Sequence, residues 1–426
     1  MLEQIEGSKA MARTIALCRP QVVCAYPITP QTHIVEGVGD LVRTGALGNC
    51  EFINVESEFA ALSVAIGASA AGSRAYTATA SQGLLFMAEA VYNAAGLGLP
   101  IVMTLGNRAI GAPINIWNDH SDAMALRESG WIQLFAETNQ EAADLHVIAF
   151  RLAEELSVPA MVCVDGFILT HAVEAVDIPE QAQVDAYLPP FEPVQSLDPD
   201  DPISIGAMVG PEAFTEVRWL QWRKQHAALE RIEALSAEFA ATFGRDSGGL
   251  LRRYRMEDAE LAIVAMGSVN GTIKDAIDEL RAEGVGVGLV TLVAFRPFPT
   301  QALREVLVGA AHVLVIDRSL DPGMGGPLAS NVDLALRNLS PAPHLHSAIA
   351  GLGGRAVTKT AMRQLARDAL ADAWEGPRFV DLDEKVVARE LHRSARERRC
   401  GPSAEHVLKA TEREKIARVK AREAMR

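Results

Sequence analysis

Cysteine is scarce and scattered: Cys18, Cys24, Cys50, Cys163 and Cys400 are odd in number, far apart, and form no C-x-x-C pair. That excludes a disulfide framework and leaves the chain without the thiolate spacing of a zinc or iron–sulfur site of its own. Cys24 and Cys163 sit inside apolar strands and read as small buried hydrophobes. Long hydrophobic runs are missing too. Each is broken by charge or glycine well before the roughly 20 residues a membrane span needs, and Met1 to Ser8 has no signal-peptide pattern, so the cytoplasm is the default location. Positive charge is in deficit: 40 Lys and Arg face 54 Asp and Glu for a formal charge of −14, which disfavours nucleic acid as a partner.

What is present is the material of a folded protein. Hydrophobic residues make up 49% and charged residues 22%, which argues against disorder. A chain of 426 residues exceeds the roughly 250–300 over which one core grows, so two or three domains are expected. We place them at 1–250, 251–375 and 376–426. Through the first 165 residues apolar strands (near Val22–Tyr26, Glu51–Val55, Ala75–Thr79, Ile101–Leu105, Ile132–Ala136 and Met161–Val164) alternate with helices, the pattern of a doubly wound parallel sheet. The helix from Ser57 to about Ala71 is apolar around most of its circumference and is expected to be buried. From Asp177 a proline- and acid-rich segment reads as an extended connection over this domain, followed by a helix from about Thr215 to Phe243, whose Trp219 and Trp222 read as a packing contact. A smaller α/β unit starts at Glu260. Its turns at Gly267–Gly271 and Asp321–Gly326 lack a full dinucleotide fingerprint. The last 43 residues carry 13 Lys or Arg against 7 Glu, a basic helical arm that either is solvated or docks on an acidic partner.

Chemistry gathers at strand ends. In Y-P-I-T-P two prolines fix the backbone, and Thr29 presents a hydroxyl at the carboxyl end of a strand, where open sheets receive ligands. Glu56 and Glu58 follow the next strand in V-E-S-E-F-A-A; a carboxylate there either caps the helix or serves a ligand. T-A-T-A-S-Q-G and Asn107-Arg108 follow two more strands. Four strand ends thus offer a hydroxyl, a carboxylate, an amide and a guanidinium. The loop N-I-W-N-D-H-S-D is expected to be anchored by Ile114, Ile116 and Trp117. Asp119, His120 and Asp122 within it match no common metal spacing and read better as a hydrogen-bonded lock, with His120 as a proton carrier the minor alternative.

Together Y-P-I-T-P-Q-T, V-E-S-E-F-A-A, T-A-S-Q-G-L, G-N-R-A-I-G-A-P, N-I-W-N-D-H-S-D and V-D-G-F-I-L-T-H resemble the alpha subunit of the 2-oxoacid:ferredoxin oxidoreductases, the pyruvate enzymes most closely. The likeness continues collinearly to G-L-G-G-R, over roughly residues 5–370. It implies a pyrimidine-type thiamine-diphosphate domain followed by a smaller transketolase C-terminal-like α/β domain. It also implies oxidative decarboxylation of a 2-oxoacid with coenzyme A. The resemblance places Glu58 against N1′ of the cofactor's aminopyrimidine, where a carboxyl group favours the imino tautomer whose 4′ nitrogen removes a proton from the thiazolium. It makes Thr29 and Arg108 the holders of the substrate carboxylate, and Pro27, Ile28, Ser81 and Gln82 further cofactor contacts.

No G-D-G motif for the magnesium diphosphate occurs. The resemblance therefore implies that thiamine diphosphate is shared with a beta subunit carrying the diphosphate and Mg2+, that [4Fe-4S] clusters lie on iron–sulfur subunits, and that a gamma subunit completes the complex. No metal ligand is assigned to this chain. Asp317-Arg318-Ser319-Leu320 departs from the family's D-R-x-x-S-F-G, and Ala356 follows G-L-G-G-R in place of the common aspartate. With the long tail, these departures leave the substrate open between pyruvate and an aromatic 2-oxoacid such as phenylglyoxylate, the latter in a complex with an NAD-linked flavin subunit. Two other readings stand beside this one: a subunit that kept the fold but lost catalysis, against which Glu58, Thr29 and Arg108 speak, and an unrelated nucleotide-binding dehydrogenase, which lacks its glycine fingerprint.

Overall fold

The computed structural model describes residues 2–397 and, further along, Val407, Leu408, Thr411, Glu412 and Ile416. Cys400 and most of the basic tail lie outside the described residues. Residues 1–378 form one compact unit and 379–426 a second. In the second, the helix Glu384–Glu397 has acidic Glu384 in its first turn, where the helix dipole favours it.

The first unit contains a seven-stranded sheet in the order Ala294–Arg296, Ile132–Phe135, Ala160–Asp165, Val102–Asn107, Ala75–Thr79, Val22–Ala25, Glu51–Asn54. The last six are parallel. The central strands Ala75–Thr79, Val102–Asn107 and Ala160–Asp165 are buried at every position, which is why they read as continuous apolar runs. Helices begin on side-chain caps: Ser57, Thr138 and Thr358 each accept a hydrogen bond from the backbone N–H three residues on.

The chain runs from Val22–Ala25 to Glu51–Asn54 on one side, then returns to pair Ala75–Thr79 on the other. The topological switch point of the sheet therefore lies between the strands that precede Thr29 and Ser81.

The second sheet has six strands; the five wholly inside the first unit are, in order, His344–Ile349, His312–Asp317, Leu261–Ala265, Val287–Leu292 and Leu251–Tyr254. The first four are parallel and Leu251–Tyr254 is an antiparallel edge. The two sheets share one apolar core, in which Met103, Leu105 and Phe135 meet Val264, Leu292 and Val315. The short strand Ala294–Arg296 leaves the second sheet's chain to close the edge of the first, pairing antiparallel with Ile132–Phe135. Two further strands without a sequence signal, Leu2–Glu6 and Val173–Asp177, form an antiparallel ribbon.

Three expectations need correction. The helix Glu58–Ala70 buries only one face, through Ala61, Leu62, Ala65, Ser69 and Ala70; Phe59, Ser63 and Gly67 are exposed. Trp219 and Trp222 are about half exposed, at 55% and 53%, so they touch each other without joining the core. Their helix, Phe214–Phe243, is buried only in its second half, from Ala228 to Phe243, and its first half is held by Gln225 Nε2 donating to the Gly130 carbonyl at 2.6 Å. The acid-rich segment after Asp177 begins with a short helix, Gln181–Tyr187. Its irregular remainder is tied onto the first sheet's helices: buried Arg74 donates to the Pro189 carbonyl at 2.8 Å, and Leu197 N–H donates to the Ala70 carbonyl at 2.8 Å.

Candidate active site

Glu58, Thr29, Ser81 and Arg108 follow four adjacent parallel strands, so all four stand on one rim of the sheet. Thr29 and Ser81 flank the switch point, the crevice in which open α/β sheets bind ligands. The Y-P-I-T-P turn is held from both sides. Gln31 Nε2 donates to the Tyr26 carbonyl at 2.9 Å, and Pro30 packs so closely on Gly166 that a Cβ there would lie 2.4 Å from Pro30 Cγ. Pro27 and Thr29 are left exposed and Ile28 half-buried.

Glu58 does not cap its helix. Ser57 does, accepting from Ala60 N–H at 3.2 Å, and the Glu58 carboxylate forms no hydrogen bond or ion pair with any described residue. It is half-buried against Gly83, where an added Cβ would lie 2.8 Å from Oε1 and 2.5 Å from Thr79 Oγ1. The Thr79 hydroxyl is itself buried without a partner, as is that of Thr77. An unanswered carboxyl group beside an orphaned buried hydroxyl, over a glycine floor, suits a flat ligand with ring nitrogens that can share its proton. The residues present therefore fit the pyrimidine of thiamine diphosphate.

Arg108 is 7% exposed, yet its guanidinium meets only backbone carbonyls, Thr29 at 2.8 Å and Asn115 at 3.3 Å. No described carboxylate pairs with it. Burial lowers its pKa and nearby Asp122 raises it. Asp122 instead accepts from the backbone N–H of Ser81, Arg108 and Ala123 and from Asn107 Nδ2, at 2.8 to 3.0 Å. Burial pushes its carboxyl up to about 7 against the pull of these donors. Ser81 is fully buried; its N–H goes to Asp122 and its hydroxyl lies 2.5 Å from both the Ala109 carbonyl and Gln82 Oε1. Ser81 thus shapes the rim from beneath, while Gln82 is half-buried beside Gly111.

The loop after Arg108 is held chiefly by polar contacts; of its apolar residues Trp117 packs on one side, its ring 4.8 Å from that of Phe167, while Ile114 stands out from the surface. Ile114 is 79% exposed and Trp117 52%. The hold comes from Asn115 Nδ2 donating to the Gly353 carbonyl at 3.1 Å and Gly353 N–H donating to Asp119 Oδ2 at 2.9 Å. His120 is buried, with Nε2 2.9 Å from Asp165 Oδ1. Asp165 also accepts from Arg318 Nη1 at 2.7 Å and from Ser268 N–H at 2.8 Å. Burial opposes ionisation of Asp165, but Arg318 first, then His120 and Ser268, outweigh it and hold the carboxyl well below its usual range. The residues that sequence reasoning missed are Thr79, Gly83, Asp165 and Arg318. Each lies in a noted motif, and none shows locally which distant group it meets.

The chain aligns with a 2-oxoglutarate:ferredoxin oxidoreductase from Magnetococcus marinus at a TM-score of 0.67, covering 87% of this chain and 65% of that one at 18% identity. A split-gene transketolase aligns at a TM-score of 0.52 and 14% identity, covering 87% of this chain and 99% of that one. Both likenesses are of fold, two α/β units with parallel sheets in succession along the chain. The family model for the thiamine-diphosphate-binding domain of pyruvate flavodoxin/ferredoxin oxidoreductases matches residues 13–237, and that for core domain II of pyruvate:ferredoxin oxidoreductase matches 259–362.

Pyruvate synthase subunit PorA of Methanosarcina barkeri is 44% identical over 90% of this chain and 97% of its own length. The same subunit of Thermotoga maritima is 45% identical over 86% and 94%. Ketoisovalerate oxidoreductase subunit VorA of Pyrococcus abyssi is 40% identical over 85% and 92%. The chain belongs to the alpha-subunit family of the 2-oxoacid:ferredoxin oxidoreductases.

Proposed function

We propose that this chain is the pyrimidine-gripping subunit of an enzyme that converts pyruvate and coenzyme A to acetyl-CoA and carbon dioxide, passing two electrons to iron–sulfur clusters on partner subunits. The observation that carries this reading is the Glu58 carboxylate, fixed over Gly83 at the switch-point rim with no partner among the described residues. Thiamine diphosphate, when bound, supplies a thiazolium carbon acidic enough to become a nucleophile toward a ketone. Glu58 presents its carboxyl to the ring nitrogen that faces it and holds a proton there. Pro27, Ile28 and Gln82 wall the same crevice, with Ser81 beneath.

Arg108 orients the 2-oxoacid by its carboxylate, using the guanidinium donors that the Thr29 and Asn115 carbonyls leave free, and the Thr29 hydroxyl reaches the same end. The diphosphate, its Mg2+ and the clusters belong to partner subunits, since this chain lacks both G-D-G and C-x-x-C. Phe59, Phe86 and the uncovered face of Glu58–Ala70 are where such a partner closes the site against water. The higher identity to pyruvate synthases than to the ketoisovalerate enzyme favours pyruvate.

The test is the complex co-expressed with its partners, assayed for coenzyme A-dependent acceptor reduction with pyruvate, 2-oxoglutarate, branched-chain oxoacids and phenylglyoxylate. Pyruvate should turn over fastest; preference for phenylglyoxylate would reassign the substrate. Glu58→Gln should leave assembly intact and lower turnover by roughly 10²–10⁴-fold. A near-normal rate would remove Glu58 from this role.

A further inference from the structure

Three histidines and an aspartate meet at the opposite end of the second sheet, away from the candidate active site. His312 opens the strand His312–Asp317 and sits in register with His344 of the neighbouring strand His344–Ile349. His346, two residues on, projects from the same face as His344. Asp372 follows the helix Lys359–Leu370 in a left-handed backbone conformation, φ 53°, that turns it back toward these strands. His312 Nδ1 lies 3.3 Å from His346 Nε2, and Asp372 Oδ1 lies 3.6 Å from the same nitrogen. One donor atom from each of these three residues falls within 4.8 Å of the others.

Two observations separate this group from an ordinary surface cluster. His346 is only 3% exposed and its Nδ1 has no partner, so burial has left the ring poorly served by hydrogen bonds. Its other nitrogen faces a second imidazole nitrogen at a separation long for an N–H···N bond. That separation is, however, the edge of a coordination tetrahedron: two nitrogens each about 2.0–2.1 Å from one Zn2+ stand about 3.3–3.4 Å apart. The Trp374 ring covers His346 at 5.1 Å, keeping water from one side. Asp372 is 55% exposed on the other, its two oxygens facing His344 Nδ1 at 3.5 Å and His346 Nε2 at 3.6 Å and no described Lys or Arg, which leaves an entry path.

We propose that His312, His346 and Asp372 bind a zinc-class divalent cation, with the fourth position open beside His344. Two imidazoles and one carboxylate suit zinc far better than the all-oxygen shells of magnesium or calcium. The ion clips the segment after Lys359–Leu370 to the two strands. Cysteine spacing gives no hint of such a site; the H-x-H at 344–346 is its one local trace.

The test uses the full-length chain stripped with a chelator and titrated with Zn2+, by calorimetry and against a chromophoric competitor, with Co2+ as a spectroscopic probe. One Zn2+ per chain should bind at submicromolar concentration, raise the melting temperature, and give the visible absorption of tetrahedral Co2+. Mg2+ and Ca2+ should do none of this. His312→Ala and Asp372→Ala, both away from the tightest packing, should each weaken binding on the order of 100-fold. His226→Ala, on an exposed histidine elsewhere, should change nothing. Absence of stoichiometric Zn2+ binding in the wild type, or undiminished binding in natively folded His312→Ala and Asp372→Ala, would overturn the site.

Discussion

Arg108 illustrates how a single residue can be structurally expensive and yet left unfinished. A buried guanidinium costs free energy unless an anion answers it, and here only two carbonyls do. Asp122, whose charge acts on it, is committed to the backbone of the same rim, so it cannot act as counter-ion without releasing Ser81 and Arg108 N–H. Under the proposed function, the carboxylate of an incoming oxoacid would complete the set. Removing the guanidinium in Arg108→Ala should therefore raise KM for the oxoacid, with a loss of kcat/KM of roughly 10–150-fold, the value of a charge-assisted hydrogen bond of about 1.5–3 kcal/mol. Steady-state kinetics on the assembled complex decide it. An unchanged KM would place the carboxylate clamp elsewhere.

Between elements, Asp165 is the joint. It ends the strand Ala160–Asp165 of the first sheet and receives His120 from the rim loop, Arg318 from the end of a second-sheet strand, and Ser268 from the turn before the helix Val269–Ala282. Asp165→Asn would set an amide against these donors and leave Arg318 buried without its counter-charge, a loss of about 3–5 kcal/mol. Because the folded-state pKa of Asp165 is depressed, its contribution is present above the ordinary carboxylate value of 3.8 and is lost as pH falls below it. Chemical denaturation of the full chain against pH should show a shallower acid limb for Asp165→Asn than for the wild type; parallel limbs would show that another carboxylate governs acid unfolding.

This joint also marks the boundary of what the sequence discloses. Strands buried on both faces are legible as apolar runs, and the strand-end residues Thr29, Glu58 and Arg108 follow from them. The charged partner of Asp165, Arg318, is 153 residues away, and nothing local names it. Ile114 reads as an anchor because it is apolar, but it is exposed, and the polar contacts of Asn115 and Asp119 with Gly353 hold that part of the loop. Gly353 and Gly354 both have positive φ, and a Cβ on Gly354 would meet Trp117 Cβ at 2.4 Å, so G-L-G-G is spelled by a close approach that its own neighbours do not reveal.

For the whole molecule the uneven charge matters most. Residues 384–426 carry 13 Lys or Arg against 7 Glu, so a net +6 sits on a chain of −14 whose remainder holds −20. Since 1–378 form a compact unit with its own shared core, a chain ending at Arg378 should fold with its main melting transition intact. Assembly is where the loss should appear. If the basic arm docks on an acidic partner subunit, the shortened chain should co-purify with less of its partners, and the intact complex should weaken between about 0.1 and 1 M salt as the screening length falls from about 10 to about 3 Å. Light scattering on both complexes across that range reads the difference directly. A shortened chain that assembles as well as the full one, with the same response to salt, would show that the arm is a solvated extension and that apolar faces such as Phe59 and Phe86 alone hold the complex together.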